Sequence, residues 1–304
     1  MTPLSTQRPP ADEAVRVQEF CTRHGLPGLV DVHTHFMPER VLTKVWAFFD
    51  QLTEHPEHGP LRWPISYRHD EGQRLEILRS LGVRRFTSLL YPHRPEMAEW
   101  LNDWATDFAR RTPDCAHSAT FYPEESAAGY VAKALADGAV IFKAHVQVGG
   151  YDPLDRLLDK VWGQLADSST PTVIHCGNGP NRGRHTGPEP IAELLRRHPR
   201  LPLVIAHAGM PEYADFLALV EKHENVWLDT TMVFTDFTER LMPFPTELLP
   251  RLADHGDRVV LGTDFPNIPY PYLHQLEALE RLELGSGWLR QVCWDNGVRL
   301  IGAP

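Results

Sequence analysis

The sequence predicts an α/β protein, a (β/α)8 barrel of the TIM type with an insertion after its first strand. Three observations point there. Eight short apolar runs are each followed by an amphipathic stretch, which is the rhythm of a parallel sheet with helical crossovers. Eight such units in about 250 residues match the usual economy of a closed barrel. No Gly-x-Gly-x-x-Gly follows the first run. That removes the main signal for an open dinucleotide-binding sheet, the other architecture compatible with the alternation.

In chain order, strands are expected at 28–34 (GLVDVHT), 83–91 (VRRFTSLLY), 115–122 (CAHSATFY) and 139–146 (AVIFKAHV), then at 171–176 (PTVIHC), 201–208 (LPLVIAHA), 225–231 (NVWLDTT) and 258–264 (RVVLGTD). Amphipathic helices are expected at 71–82, 95–111, 126–138, 153–169, 189–199, 213–224 and 245–256, with a long closing stretch over 273–302. Several end in Gly or His-Pro, which stop helices. Residues 1–24 read as a polar lead-in ending in a short helix, and 25–304 as one barrel domain. Residues 36–70 are too long for an ordinary βα connection. Trp46, Phe48, Phe49, Trp63 and Tyr67 argue that the segment folds, as an insertion over the barrel mouth; a peripheral subunit contact is the alternative.

Composition narrows the partners. Thirty basic against forty acidic side chains leave a net charge of -10, which disfavours a nucleic-acid phosphate backbone. Four cysteines without a C-x-x-C pair suit a reduced compartment. The first twenty residues lack a signal-peptide core, and no run approaches the roughly 18 to 20 apolar residues of a membrane span. A soluble, cytoplasmic protein without membrane or nucleic-acid partners is the expectation.

The chemistry gathers at the ends of the apolar runs. Residues 29–38 read LVDVHTHFMP, and strand alternation places His33 and His35 on one side. Strand four ends in Lys143 and His145, strand five in His175, strand six in His207 and strand eight in Asp264. Barrel enzymes keep their chemistry at this rim. Each residue alone is more often structural: a satisfied core histidine, or an aspartate capping a turn. As an ordered set they are specific, because the runs before them fix their height. His33, His35, His175 and Asp264 supply the N and O ligands of a catalytic zinc with an open position. Asp264 then doubles as general base. His207 is free to polarise the substrate or shuttle a proton.

The segments VDVHTHFMP, NDWATDFARRTPD, GAVIFKAHVQVGGYDP, PTVIHCGNG, the stretch from LVIAHAGMPEYADF to NVWLDTT, DRVVLGTDFP and DNGVRLIG carry a resemblance. From about residue 28 onward the chain resembles the amidohydrolase superfamily, in particular the amidohydrolase 2 group that includes aminocarboxymuconate-semialdehyde decarboxylase. The resemblance implies the same metal ligands, His33, His35, His175 and Asp264. It makes His207 the catalytic histidine or a second-metal ligand. Binuclear relatives carry a carboxylated lysine on strand four. Here Lys143 is followed by His145, a Lys-x-His version described with one metal, so one divalent ion, zinc, is expected, with Lys143 and His145 lining the pocket. Lys143 paired with Asp31 is the structural alternative. A homodimer follows from the resemblance alone.

The glycine-containing loop after His175 brings Arg182, Arg184 and His185, and the loop after strand two brings Tyr91, His93 and Arg94. Arginine grips carboxylates bidentately, which suggests a small carboxylic acid derivative as substrate. For any single arginine, a solvated surface loop explains the residue as well. The function expected is metal-dependent hydrolysis of an ester, lactone or amide carbonyl. The alternatives are zinc-dependent decarboxylation of an aromatic or muconate-type acid, and a barrel that binds metal or ligand without turnover. Some decarboxylases of the group replace the first histidine of the pair by glutamate; this chain keeps His33, which leaves that choice open.

Overall fold

A computed structural model of the chain describes residues 8–55 and 59–304. Residues 1–7 of the lead-in and 56–58 of the insertion lie outside the described residues.

Eight parallel strand positions form a (β/α)8 barrel. They are β1 (Leu29–Asp31), β2 (Val83–Thr87), β3 in two pieces (Cys115–Ala116 and Ser118–Thr120), β4 (Ile141–His145), β5 (Thr172–His175), β6 (Leu203–Ile205), β7 (Val226–Asp229) and β8 (Val259–Val260). The ladder runs β1-β2-β3 and continues from the second piece of β3 through β8. His117 separates the two pieces, each of which pairs with a different neighbour. The first and last strands meet just past their ends, where Val32 N donates to Leu261 O at 2.9 Å and Asp264 N to His33 O at 2.8 Å.

The α-helices of six or more residues are α1 (Glu13–Arg23), α2 (Glu39–Gln51), α3 (Glu71–Ser80), α4 (Ala98–Arg111), α5 (Ala127–Ala136), α6 (Arg156–Asp167), α7 (Pro188–Arg197), α8 (Tyr213–Lys222), α9 (Leu249–Asp254), α10 (Tyr272–Glu280), α11 (Gly285–Arg290) and α12 (Asn296–Ile301). Local chemistry sets several starts. Asp70 and Gln73 form a reciprocal capping box on α3, and Asp155 accepts from Leu157 N at the start of α6. The long closing stretch is broken by the turn at 281–284 and by a π-helical turn over Gln291–Asp295. The helix expected at 245–256 shrinks to α9 between two 3-10 turns, because Pro250 and Gly256 leave room for little more.

Two apolar layers hold the barrel. Inside, Val30, Val32, Leu89, Ala116, Ile141, Val173, Val204, Trp227 and Val260 form one buried cluster, with Val32 and Leu89 contributing from just past the ends of β1 and β2. Outside, a larger cluster packs the strands on the helices and includes Phe36, Phe86, Phe108, Phe121, Trp162 and Phe216. The four cysteines are all buried free thiols. Among the described residues no helix is long and apolar enough to cross a membrane.

Between β1 and α3 lie α2 and a two-residue hairpin, Glu54–His55 with Gly59–Pro60. Phe49 stacks on Trp63, which meets Phe237 edge-on, and Tyr67 is buried. Phe48 is exposed. Trp46 and Trp63 donate their indole N–H groups to Asn267 Oδ1 (3.0 Å) and Asn267 O (2.6 Å), in the loop after β8.

Candidate active site

The interior strand parity that buries Ile141, Val173, Trp227 and Val260 also turns Lys143, His145, His175, Asp229, Gly262 and Asp264 inward, two residues further on each time. Lys143 and His145 lie on β4, and His145 pairs in register with His175 of β5, so their rings stack 4.1 Å apart. β1 behaves differently. Val30 and Val32 are its inward residues, so strict alternation would send His33 outward. The strand ends at Asp31, and the chain turns after Val32 to bring both histidines in.

Six rings close a circuit around the barrel end. Centroid distances run His33–His35 5.1 Å, His35–Tyr91 5.6 Å, Tyr91–His145 4.8 Å, His145–His175 4.1 Å, His175–His207 4.8 Å and His207–His33 5.4 Å. The Asp264 carboxylate meets this circuit. Its Oδ1 lies 2.8 Å from His35 Nε2 and 3.3 Å from His33 Nε2, and its Oδ2 lies 4.0 Å from His207 Nε2. Asp264 and His207 both adopt positive φ, 70° and 55°, a left-handed backbone that costs non-glycine residues of order 1–3 kcal/mol. Each is pinned: Asp264 N donates to His33 O, and His207 N donates to Asp229 Oδ1 at 2.8 Å.

The tautomers follow from the outer partners. His35 Nδ1 lies 2.8 Å from Leu89 O, so Nδ1 carries the hydrogen and Nε2 keeps its lone pair. His33 Nδ1 lies 2.8 Å from Asp229 Oδ2, with the same result. Two imidazole lone pairs and one carboxylate oxygen therefore converge, all within 4.8 Å of one another. Such a set needs a shared positive charge, which the Lys143 ammonium supplies to His33 and a metal ion would supply to all three. Ligand atoms about 2.0–2.2 Å from one metal sit roughly 3 Å apart, which the distances of 2.8 and 3.3 Å from Asp264 Oδ1 to the two imidazoles match. The residues fit a divalent ion. The Lys143 ammonium lies 3.0 Å from His33 Nε2 on the same pole. His175 stands outside that three-residue set. Its Nε2 is 3.0 Å from Gly179 O, which leaves Nδ1 as its free lone pair.

Burial and charge tune the groups against each other. Burial pushes the His33 imidazole down to about 4, helped by Lys143 and opposed by Asp229 and Asp264, so it stays neutral. Burial pulls Lys143 down to about 8 while Asp229 and Asp264 resist. For Asp264 burial works upward, but His33, His35 and His207 outweigh it and hold the carboxyl well below its usual range. His145 and His175 are lowered by burial and by the neighbouring imidazoles and Lys143.

The remaining residues divide. Arg182, Arg184, His93 and Arg94 are exposed on their loops. The Asn178–Thr186 loop folds on itself through Thr186 Oγ1, which accepts from Gly183 N at 2.9 Å. The Lys143–Asp31 pairing does not form. Asp31 instead accepts from Thr263 Oγ1 (2.6 Å) and Tyr272 OH (2.9 Å), because it faces the outer helices. One site residue, Asp229, was missed from the sequence, and Tyr91 was placed at this rim without its role between the rings. Asp229 is fully buried and bridges His33 to the His207 backbone, and Tyr91 completes the ring circuit. Asp229 ends an apolar run just as the other site residues do, and that signal was available.

A barrel whose strand ends bring two histidines and an aspartate within ligand distance of one another presents a candidate metal site. Residues 30–303 match the amidohydrolase family model, and the chain belongs to that family. No curated protein of similar sequence is found. Among solved structures, the chain is similar to an uncharacterized TIM-barrel protein from Bordetella bronchiseptica (18% identity, TM-score 0.70, covering 90% of this chain and 98% of that one). It is also similar to a probable 2-pyrone-4,6-dicarboxylic acid hydrolase from Acinetobacter baumannii with citric acid bound (14%, 0.62, 91% and 100%). A third is the 5-carboxyvanillate decarboxylase from Novosphingobium aromaticivorans, complexed with manganese and 4-hydroxy-3-methoxy-5-nitrobenzoic acid (13%, 0.61, 99% and 100%). At these identities the likeness establishes the fold.

Proposed function

We propose that the chain is a metal-dependent hydrolase that opens an ester, lactone or amide bond in a small carboxylated substrate, with one divalent ion, zinc, held by His33, His35 and Asp264 and with His175 offering a fourth donor through Nδ1. The observation that carries this reading is the convergence of two imidazole Nε2 atoms on one ionised carboxylate oxygen at the barrel end. A zinc ion there would lower the pKa of a water to roughly 7 and polarise a carbonyl oxygen.

The chain's own groups then divide the work. Asp264, held ionised, takes a proton at the carboxylate edge facing His207. His207 donates Nδ1–H to Thr231 O at 3.0 Å, so its Nε2 is free to relay that proton to the leaving group. Lys143 and His145 line the floor and wall, with the ammonium placed to meet developing negative charge. Arg182, Arg184, His93 and Arg94, exposed on the loops after β5 and β2, take the substrate carboxylate. The segments around Trp46 and Trp63, anchored on Asn267, would cover the mouth and limit water.

The test is metal analysis followed by a substrate panel. Chelated protein should be inactive on lactones and esters and recover with zinc, and Asp264→Asn should lose at least about 10²-fold in kcat. Full activity after chelation, or in Asp264→Asn, would refute the proposal. The likeness to a manganese-complexed decarboxylase supports a second reading, decarboxylation at the same residues. Carbon dioxide release from aromatic or muconate-type acids, without proton release from esters or lactones, would select it. Metal binding with silence across the panel would select a non-catalytic barrel.

A further inference from the structure

We propose that Asn267 is a positioning residue for Asp264, through which the segment between β1 and α3 supports the metal site. This rests on the metal reading above and concerns a residue and a linkage outside the ligand set.

Asp264 holds a left-handed backbone with its carboxylate aimed inward, and a side chain so placed needs support on both sides. One side is the barrel: Asp264 N donates to His33 O. The other side is the turn that follows. Asn267 N donates to Asp264 O at 2.7 Å, and His35 N donates to Phe265 O at 2.7 Å, so one short turn carries the aspartate and fixes the second histidine. Asn267 is 3% exposed. What fixes Asn267 is the segment beyond the barrel. Trp46 donates to its side-chain oxygen and Trp63 to its main-chain oxygen. These two indoles come from either side of the hairpin, and Trp63 is itself wedged between Phe49 and Phe237. The three groups of Asn267 (N–H, C=O and Oδ1) thus each hold a different piece: Asp264, Trp63 and Trp46.

The consequence is reciprocal coupling. If the two indoles fix the Asp264 turn, loss of their anchor loosens the carboxylate, and an ion on the carboxylate must in turn tighten the indole environment. A packing role alone would lower thermal stability and leave both ion affinity and its fluorescence signature unchanged.

The experiment uses the full chain and zinc alone. Affinity is measured by competition with a chromophoric chelator, and tryptophan emission is followed in the same titration. Asn267→Ala should weaken zinc about tenfold, the size of effect seen when an outer partner of a ligand is removed. Asn267→Asp keeps an acceptor for Trp46 and should recover most of that loss. Zinc should shift emission in the native chain, and the shift should shrink in Trp46→Phe and in Trp63→Phe. Should Asn267→Ala fold poorly, the Trp46→Phe and Trp63→Phe affinities decide the matter, each expected several-fold weaker. Native zinc affinity in Asn267→Ala, or in both tryptophan variants, would overturn the proposal while His35→Ala still abolished binding. Unchanged affinity in His35→Ala would instead overturn the ligand set itself, and this proposal with it.

Discussion

Asp229→Asn should cripple metal binding without disturbing the fold, and the reason lies in which oxygen does what. Asp229 Oδ1 accepts two backbone N–H groups, from His207 at 2.8 Å and Thr231 at 3.0 Å. Oδ2 accepts from His33 Nδ1 at 2.8 Å. An asparagine in this place must keep its carbonyl on the Oδ1 side, because the opposite rotamer would aim its NH2 at two donors. The NH2 then faces His33 Nδ1, which can answer only as an acceptor. Its hydrogen moves to Nε2, the atom that must ligate. Restoring the ligating tautomer sets two buried donors against each other, and each forfeited partner costs about 1–3 kcal/mol. The expected weakening of zinc affinity is about 10²-fold or more, equivalent to roughly 2.7 kcal/mol. Chelator competition measures it, and far-UV circular dichroism checks the fold. Zinc affinity within threefold of the native chain, in a folded variant, would refute the tautomer reasoning.

Four further outcomes are expected. A Cβ at Gly262 would stand 2.2 Å from Thr231 Oγ1 and 2.8 Å from His33 Cβ, so Gly262→Ala should lose about 1–3 kcal/mol in denaturant melts and weaken zinc as His33 shifts. Phe36 is fully buried against Phe86, Phe108 and Phe265, and Phe36→Ala should cost about 3–5 kcal/mol by urea unfolding. Burial raises the Glu13 carboxyl, against bonds from Leu273 N and Tyr67 OH and the charge of Arg16. The folded state therefore holds that proton more tightly than the unfolded chain does; its stabilising share is complete below the unfolded value and fades as pH rises through the folded one. Between those two values Tm should fall less steeply with rising pH in Glu13→Gln. On a carboxylated substrate, Arg182→Ala combined with Arg184→Ala should raise KM about tenfold with kcat nearly unchanged; an unaltered KM would remove these arginines from the site.

Much of the architecture was legible because it is written in periodicity. The eight apolar runs mark eight strand positions, and the residues that end them, His33, His35, Lys143, His145, His175, His207 and Asp264, do gather at one end of the barrel. Strand lengths were not legible, since hydrophobic runs continue past the last ladder bond: 83–91 reads as one strand, yet β2 stops at Thr87. The path of β1 was hidden too, because alternation says nothing about where a chain leaves the ladder. The left-handed turn at His207 depends on a carboxylate twenty-two positions away taking its backbone N–H. Asp229 ends its run as visibly as His175 does, but its role is defined by the two residues it joins, and those come from distant parts of the chain. The exposed arginines show the reverse: residue type suggested an anion grip, while their setting on open loops depends on tertiary context.

The seam of the barrel and the cation position are one structure. His35 and Asp264 stand 229 positions apart, and the backbone N–H of each, donating to Phe265 O and His33 O, helps join the first strand to the last. Closing so large a loop is entropically costly, and nothing local compensates until the eighth strand docks. A nascent chain still short of Asp264 therefore displays its paired N-terminal imidazoles without a carboxylate to complete them. An ion held as proposed would enter at the last stage of assembly and clasp the first strand to the last.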